Sequence, residues 1–303
     1  MGNRVIISGF SQVDTRAGVI AGDFSPSSLG AGSDTSGNSR DHRRVDLFAR
    51  LALSAAGKAM DHSGARLERL DLSRCGVIIG SALGGLHAAQ QQLRRLGASG
   101  PARVSPFFIP GLMVNAASGS IAALWNFSGP APGVAGSGLS LFDALATGAG
   151  LIQNGLADFV LCGSADASCL QTGHATVFVL QAFATLADTQ SPHAELVAWS
   201  QAVDAHGAEQ ACLVAAEFDS PGFHRCDSIA DLYEPDAVVH ETQEIATQFL
   251  RAVQILSGRT RSQYAGATLG PELNGHHGTE PVTALLTLAS DRRAVSLALK
   301  EIS

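Results

Sequence analysis

Aromatic side chains are scarce in this chain of 303 residues: Phe, Trp and Tyr together make up 6%, with two Trp and two Tyr. So few rings argue against an aromatic-rich binding surface. Charge is also thin, at 16% of residues, and the 20 Lys and Arg are outnumbered by 27 Asp and Glu, for a net charge of −7. The basic residues fall in short runs such as Arg43-Arg44. No stripe is long enough to neutralise a phosphate backbone, which excludes nucleic acid as a partner. The cysteines Cys75, Cys162, Cys169, Cys212 and Cys226 are odd in number and share no CxxC spacing. They read as reduced, buried thiols in a cytoplasm, without a disulfide framework.

Long uninterrupted apolar runs are missing as well. From Val104 to Ala165 the only charges are Asp143 and Asp158, where average composition would place about fifteen. A membrane span needs about 20 consecutive apolar residues, yet Pro106, Pro110, Asn115, Ser118, Ser120, Asn126, Ser128 and Pro130 interrupt every window. The stretch is therefore read as buried inside protein, in a subunit interface or an apolar tunnel, with no membrane span. The apolar run Val5-Ile6-Ile7 near the N-terminus is too short for a secretory signal.

What is present is 46% hydrophobic residues and 33 glycines, a composition that fits a tightly turned α/β protein with a large core. Residues 4–9 read as a first strand and 24–44 as an irregular Gly/Ser-rich connection with a solvated charged run at Asp41-His42-Arg43-Arg44. Asp46 opens a helix with Leu47, Leu51, Ala55 and Ala59 on one face, ending near Gly64. Cys75–Gly80 reads as a strand. Its tail, Gly80-Ser81-Ala82-Leu83-Gly84-Gly85, is read as a structural turn, because no GK[ST] follows to make it a phosphate loop.

Ser105–Trp125 reads as a loop leading into a helix with Ala117, Ile121 and Leu124 on one face, and Val134–Leu139 as a glycine-rich strand-to-helix turn. The next helix carries Leu139, Phe142, Leu145, Ala149 and Ile152 on its apolar face and ends near Gly155. Phe159–Gly163 reads as a strand of a parallel sheet covered on both sides. Val177–Leu180 and Leu196–Trp199 read as further strands, and Thr242–Leu256 and Val282–Leu288 as helix-like. No internal repeat is visible in the letters.

At Ser105-Pro106-Phe107-Phe108-Ile109-Pro110, Val114-Asn115, Gly119, Ile121-Ala122, Gly129-Pro130, Ala157-Asp158 and Cys162-Gly163-Ser164-Ala165 the chain resembles the β-ketoacyl synthases, over roughly residues 3–166. The resemblance implies a thiolase-like α/β fold: an αβαβα layered sandwich of two related halves, 1–166 and a reduced C-terminal half, 167–303. It also implies a dimer whose interface includes the strand before the nucleophile.

In that family a Cys at a strand-to-helix elbow accepts the acyl chain as a thioester, its thiol activated by the helix N-terminal amides. Counting from Gly129-Pro130, the elbow is Gly136-Ser137-Gly138, and the nucleophile position falls on Gly138. The family's first histidine loop would place His240, but Glu241-Thr242-Gln243 follows where the loop has glycine and threonine. Asn274-Gly275-His276-His277-Gly278 resembles the second loop, with Pro271 at its lysine position. The strand Gly173–Leu180 is similar to the family's E-G-A-x-x-L-V-L, with Gly173 at the glutamate position. No gate like G-F-G-G occurs in Ala294–Ser303.

The resemblance thus implies a non-catalytic subunit like the chain-length factors of type II polyketide and aryl-polyene synthases. Such a subunit pairs as a heterodimer with an active β-ketoacyl synthase, with acyl carrier protein as a further partner and no cofactor or metal. Gly111, Leu112, Met113, Ala116 and Ala117 are the tunnel or interface candidates, with core packing as the alternative for these helix-spaced apolar residues. A second reading is an acyl-processing enzyme, either a hydrolase using Ser137 or a decarboxylase using His276.

Overall fold

The computed structural model describes residues 3–15, 45–136, 139–168, 172–187, 190, 192–203, 224–225, 283–290, 293–300 and the helical positions 243, 246, 247, 249, 250 and 253. The expected connection 24–44 and its charged run lie outside the described residues, as do Cys169, Cys212 and Cys226.

The elements are β1 (Val5–Asp14), α1 (Leu47–Ser63), β2 (Cys75–Ser81), α2 (Leu86–Ser99), α3 (Phe108–Leu112), α4 (Ala116–Trp125), β3 (Gly133–Ala135), α5 (Ser140–Gln153), β4 (Phe159–Ala167), β5 (Gly173–Ala182), β6 (Ala194–Val203), β7 (His224–Arg225), β8 (Thr283–Ser290) and β9 (Arg293–Lys300).

α1 shows how local chemistry sets an element. The Asp46 side chain accepts a hydrogen bond from the Phe48 amide at 3.1 Å, a cap of a kind whose loss costs about 1 kcal/mol. Gly64 ends the helix in the left-handed region at φ 64°. Between them Leu47, Leu51, Ala55 and Ala59 are buried. The second Asp46 oxygen accepts from the Ala88 amide at 2.6 Å, so one carboxylate caps α1 and the first turn of α2. Burial raises the Asp46 pKa, and those two amide bonds oppose the rise.

Among the described residues the strands form one nine-stranded sheet in the order β3-β2-β4-β5-β1-β6-β9-β8-β7. The first unit reads outward from β1 as β5, antiparallel, then β4, antiparallel, then β2, parallel. Reading outward from β6 gives β9, antiparallel, then β8, antiparallel, then β7, parallel. The two halves therefore repeat the same order and the same strand senses, and they meet where Val5–Ile7 of β1 pairs with Ala194–Leu196 of β6. This duplication is one of backbone topology.

Alternation along the strands splits the core in two. Odd positions such as Val77, Ile79, Leu161, Val177 and Val179 pack with α1 and α4 on one face. Even positions such as Ile78, Val160, Cys162, Phe178 and Leu180 pack with α5, Ala246, Phe249 and Val253 on the other. β4 is covered on both faces as expected, but its sheet is mixed: β4 runs parallel to β2 and antiparallel to β5.

The helix expected at Thr242–Leu256 is present at its described positions, whereas the one expected at Val282–Leu288 is β8. Thr-Ala-Leu-Leu-Thr-Leu-Ala-Ser is rich in helix formers, but it is a short apolar run. Eight residue pairs with β9 override that preference.

Candidate functional site

The elbow is built from β3 and α5. The Gly136 amide donates to the Ser81 carbonyl at 3.1 Å, anchoring the end of β3 to the end of β2. α5 then starts buried: Leu139, Ser140 and Phe142 are inaccessible, and Asp143 lies buried in its first turn. Ser137 and Gly138, between these anchors, lie outside the described residues, as do His240 and His276.

Beside the elbow the turn after β2 wraps a carboxylate. Asp166 Oδ1 accepts hydrogen bonds from Ser81 Oγ at 2.7 Å and from the Ala82 and Leu83 amides at 2.8 Å each. The glycine-rich turn is thus an anion cradle filled by the chain's own side chain. Across the sheet, His174 of β5 stands opposite Asp166 of β4 and Asp14 of β1. It is fully buried, and burial pulls its pKa down to about 3 against a weaker opposing pull from Asp14. The imidazole is neutral at physiological pH.

The two described cysteines are poor nucleophiles. Burial pushes the Cys75 thiol up to about 12 and raises that of Cys162 further, so neither supplies a thiolate at neutral pH.

The five tunnel or interface candidates separate. Gly111 is buried at the end of α3, Leu112 is 36% exposed and Met113 50% exposed. Ala116 is half-buried against the core, and Ala117 is fully buried with Ile121 and Leu124 in the cluster beneath α1. Much of the nearly uncharged stretch is interior, but Phe107 and Ile109 join Leu112 and Met113 at the surface, and Leu93 and Leu96 of α2 are exposed too. Among the described residues no group of His, Cys, Asp and Glu is arranged to hold a metal ion, and no helix is long and apolar enough to cross a membrane.

Asp166, Ser81 and His174 were not singled out from sequence as site residues. Their one signal is a turn rich in free amides that calls for an anion, together with acidic and imidazole side chains inside otherwise apolar strands.

Residues 30–195 match the family description "Beta-ketoacyl synthase, N-terminal domain". A 3-oxoacyl-[acyl-carrier-protein] synthase 2 of Coxiella burnetii is 29% identical over 186 residues, 58% of this chain and 43% of that protein. The matched region thus spans less than half the length of that curated relative. Among solved structures, a chain of a type II PKS acyl-carrier protein in complex with its ketosynthase bound to the hexaketide superposes with a TM-score of 0.71 at 15% identity, covering 100% of both chains. The ishigamide ketosynthase/chain length factor superposes with a TM-score of 0.56 at 20% identity over 68% of this chain and 65% of that one. At these identities the structural likeness establishes the thiolase-like α/β fold.

Proposed function

The chain belongs to the β-ketoacyl synthase family, and on that premise we propose that it is a non-catalytic, chain-length-factor-type subunit. It pairs with an active β-ketoacyl synthase in the cytoplasm, in a type II fatty acid, polyketide or aryl polyene assembly system, and shapes that partner's acyl tunnel. The observation that carries the reading is glycine at position 138, where the family's acyl-accepting Cys stands, beside an elbow whose strand and buried helix are kept. Glycine offers no atom to attack a thioester, so condensation on this chain cannot begin.

The exposed apolar residues Phe107, Ile109, Leu112 and Met113 support a partner on that face, because apolar surface gathered in one place is commonly an interaction site. Leu112 and Met113 are the residues assigned to the partner's tunnel. No acidic residue occurs between Asp71 and Asp143, while Arg94, Arg95 and Arg103 are exposed. That local excess of positive charge suits an anionic partner, a role we give to acyl carrier protein. In this reading the chain divides at 166/167, and β5, from the C-terminal side of that boundary, belongs to the first of the two repeated strand sets.

Intact-protein mass spectrometry after exposure to acyl-carrier-protein thioesters tests the loss of chemistry. No acyl adduct is expected. An adduct that disappears in Ser137→Ala would overturn the reading in favour of a serine hydrolase.

A further inference from the structure

The turn between β2 and α2 connects the sheet to the exposed segment that ends at Met113. Asp166 Oδ1 takes the Ser81 hydroxyl and the Ala82 and Leu83 amides, and Ser81 Oγ in turn accepts from the Gly84 amide at 2.8 Å. One buried side chain thereby fixes four consecutive residues, and linked hydrogen bonds in a buried network reinforce one another.

The fixed turn presents two glycines to α3. Gly84 sits at φ +54°, a region that disfavours a side chain. A Cβ on Gly85 would collide with the Gly111 carbonyl and come within 2.6 Å of the Leu112 Cα. The backbone of the turn is therefore in direct contact with the backbone of Gly111 and Leu112, with no side chain between to absorb a shift. The far end of the same segment is tied to α2, where buried Gln92 accepts from the Ser105 amide at 2.9 Å. Gly85 is the N-cap of α2, so both ends of residues 105–113 hang from the turn that Asp166 holds.

We propose that Asp166 is a positioning residue for Gly111–Met113, acting through Ser81 and the backbone of Gly84 and Gly85, and so sets where Leu112 and Met113 are presented to a partner. The role toward a partner rests on the proposed function. The coupling itself is a property of the isolated chain.

Hydrogen exchange read by mass spectrometry on the full chain tests it, comparing Asp166→Ala, Asp166→Asn and Ser81→Ala with the parent. Asp166→Ala and Ser81→Ala are expected to speed exchange about tenfold in peptides 82–86 and 107–113, the scale for losing a buried hydrogen bond. The α1 peptide 47–63 is expected to stay unchanged. Asp166→Asn keeps an oxygen acceptor in place and should restore most of the protection. Faster exchange confined to 82–86, or spread evenly into α1, would overturn the coupling. If Asp166→Ala does not fold, Ser81→Ala carries the same comparison, because Asp166 then keeps its two amides.

Pairing with an active β-ketoacyl synthase is read separately. Weaker pairing of Asp166→Ala, recovered by Asp166→Asn, supports the partner role. Unchanged pairing despite altered exchange at 107–113 overturns it. Coupling with no pairing even by the parent chain leaves the positioning role standing and removes the proposed function.

Discussion

His174 on β5 faces Asp166 on β4 directly across the sheet, and neither nitrogen of its fully buried ring has a hydrogen-bond partner among the described residues. A neutral imidazole is held there by burial, with its pKa down to about 3 from the ordinary 6.5. The unfolded chain binds this proton below pH 6.5 and the folded chain does not. Stability from this site is complete above pH 6.5 and is lost as pH falls from there toward pH 3, by about 1.4 kcal/mol per pH unit for one linked proton. Denaturant titrations from pH 7.5 to 4.5 should show that slope flattened in His174→Leu relative to the parent. Equal slopes in the two proteins would refute the assignment.

Gly148 of α5 and Cys162 of β4 lie in such close contact that a Cβ at Gly148 would overlap the Cys162 sulfur. The sulfur is fully buried, and Leu180 and Val160 also lie within 3.4 Å of the added Cβ. Gly148→Ala should therefore destabilise the fold by about 1–3 kcal/mol. In a Cys162→Ala background the cost should shrink, because the obstructing atom is gone. Chemical denaturation of the four proteins of this cycle measures it, and additive effects would rule out the contact.

How much of this could be read from the letters depended on distance along the chain. α1 was legible from its cap to its left-handed glycine, because Asp46, the apolar face and Gly64 act within one helix. α5 was legible for the same reason. The cradle around Asp166 was not, since its donors lie 83 to 85 positions away and nothing local ties them. The repeated strand order showed no repeat in the letters, because it is a property of pairing; only the family resemblance implied two related halves. At the site, the proposed nucleophile position at Gly138 rests on counting from Gly129-Pro130, and it lies outside the described residues. Which apolar residues face outward could not be read: Ala117 and Met113 look alike in an apolar pattern, yet one is sealed in the core and the other is half exposed.

That exposure sharpens the expectation for Met113. A core methionine would lose about 2–5 kcal/mol on truncation to alanine, whereas a half-exposed one should lose less than about 1 kcal/mol. Met113→Ala should leave the subunit folded and lengthen the products of a reconstituted pair, since each buried methylene is worth about 0.8 kcal/mol. Met113→Trp should shorten them. Product profiling by mass spectrometry decides, and an unchanged length distribution from a folded Met113→Ala pair removes Met113 from the tunnel.

Co-expression with an active β-ketoacyl synthase, followed by size-exclusion chromatography with light scattering, puts pairing itself to the test. Exposed Phe107, Ile109, Leu112 and Met113 should make the isolated chain self-associate or resist purification, as an uncovered obligate interface does. The proposed function predicts a one-to-one heterodimer that condenses acyl units through its partner's cysteine alone. A soluble, monodisperse monomer that ignores the synthase would contradict it.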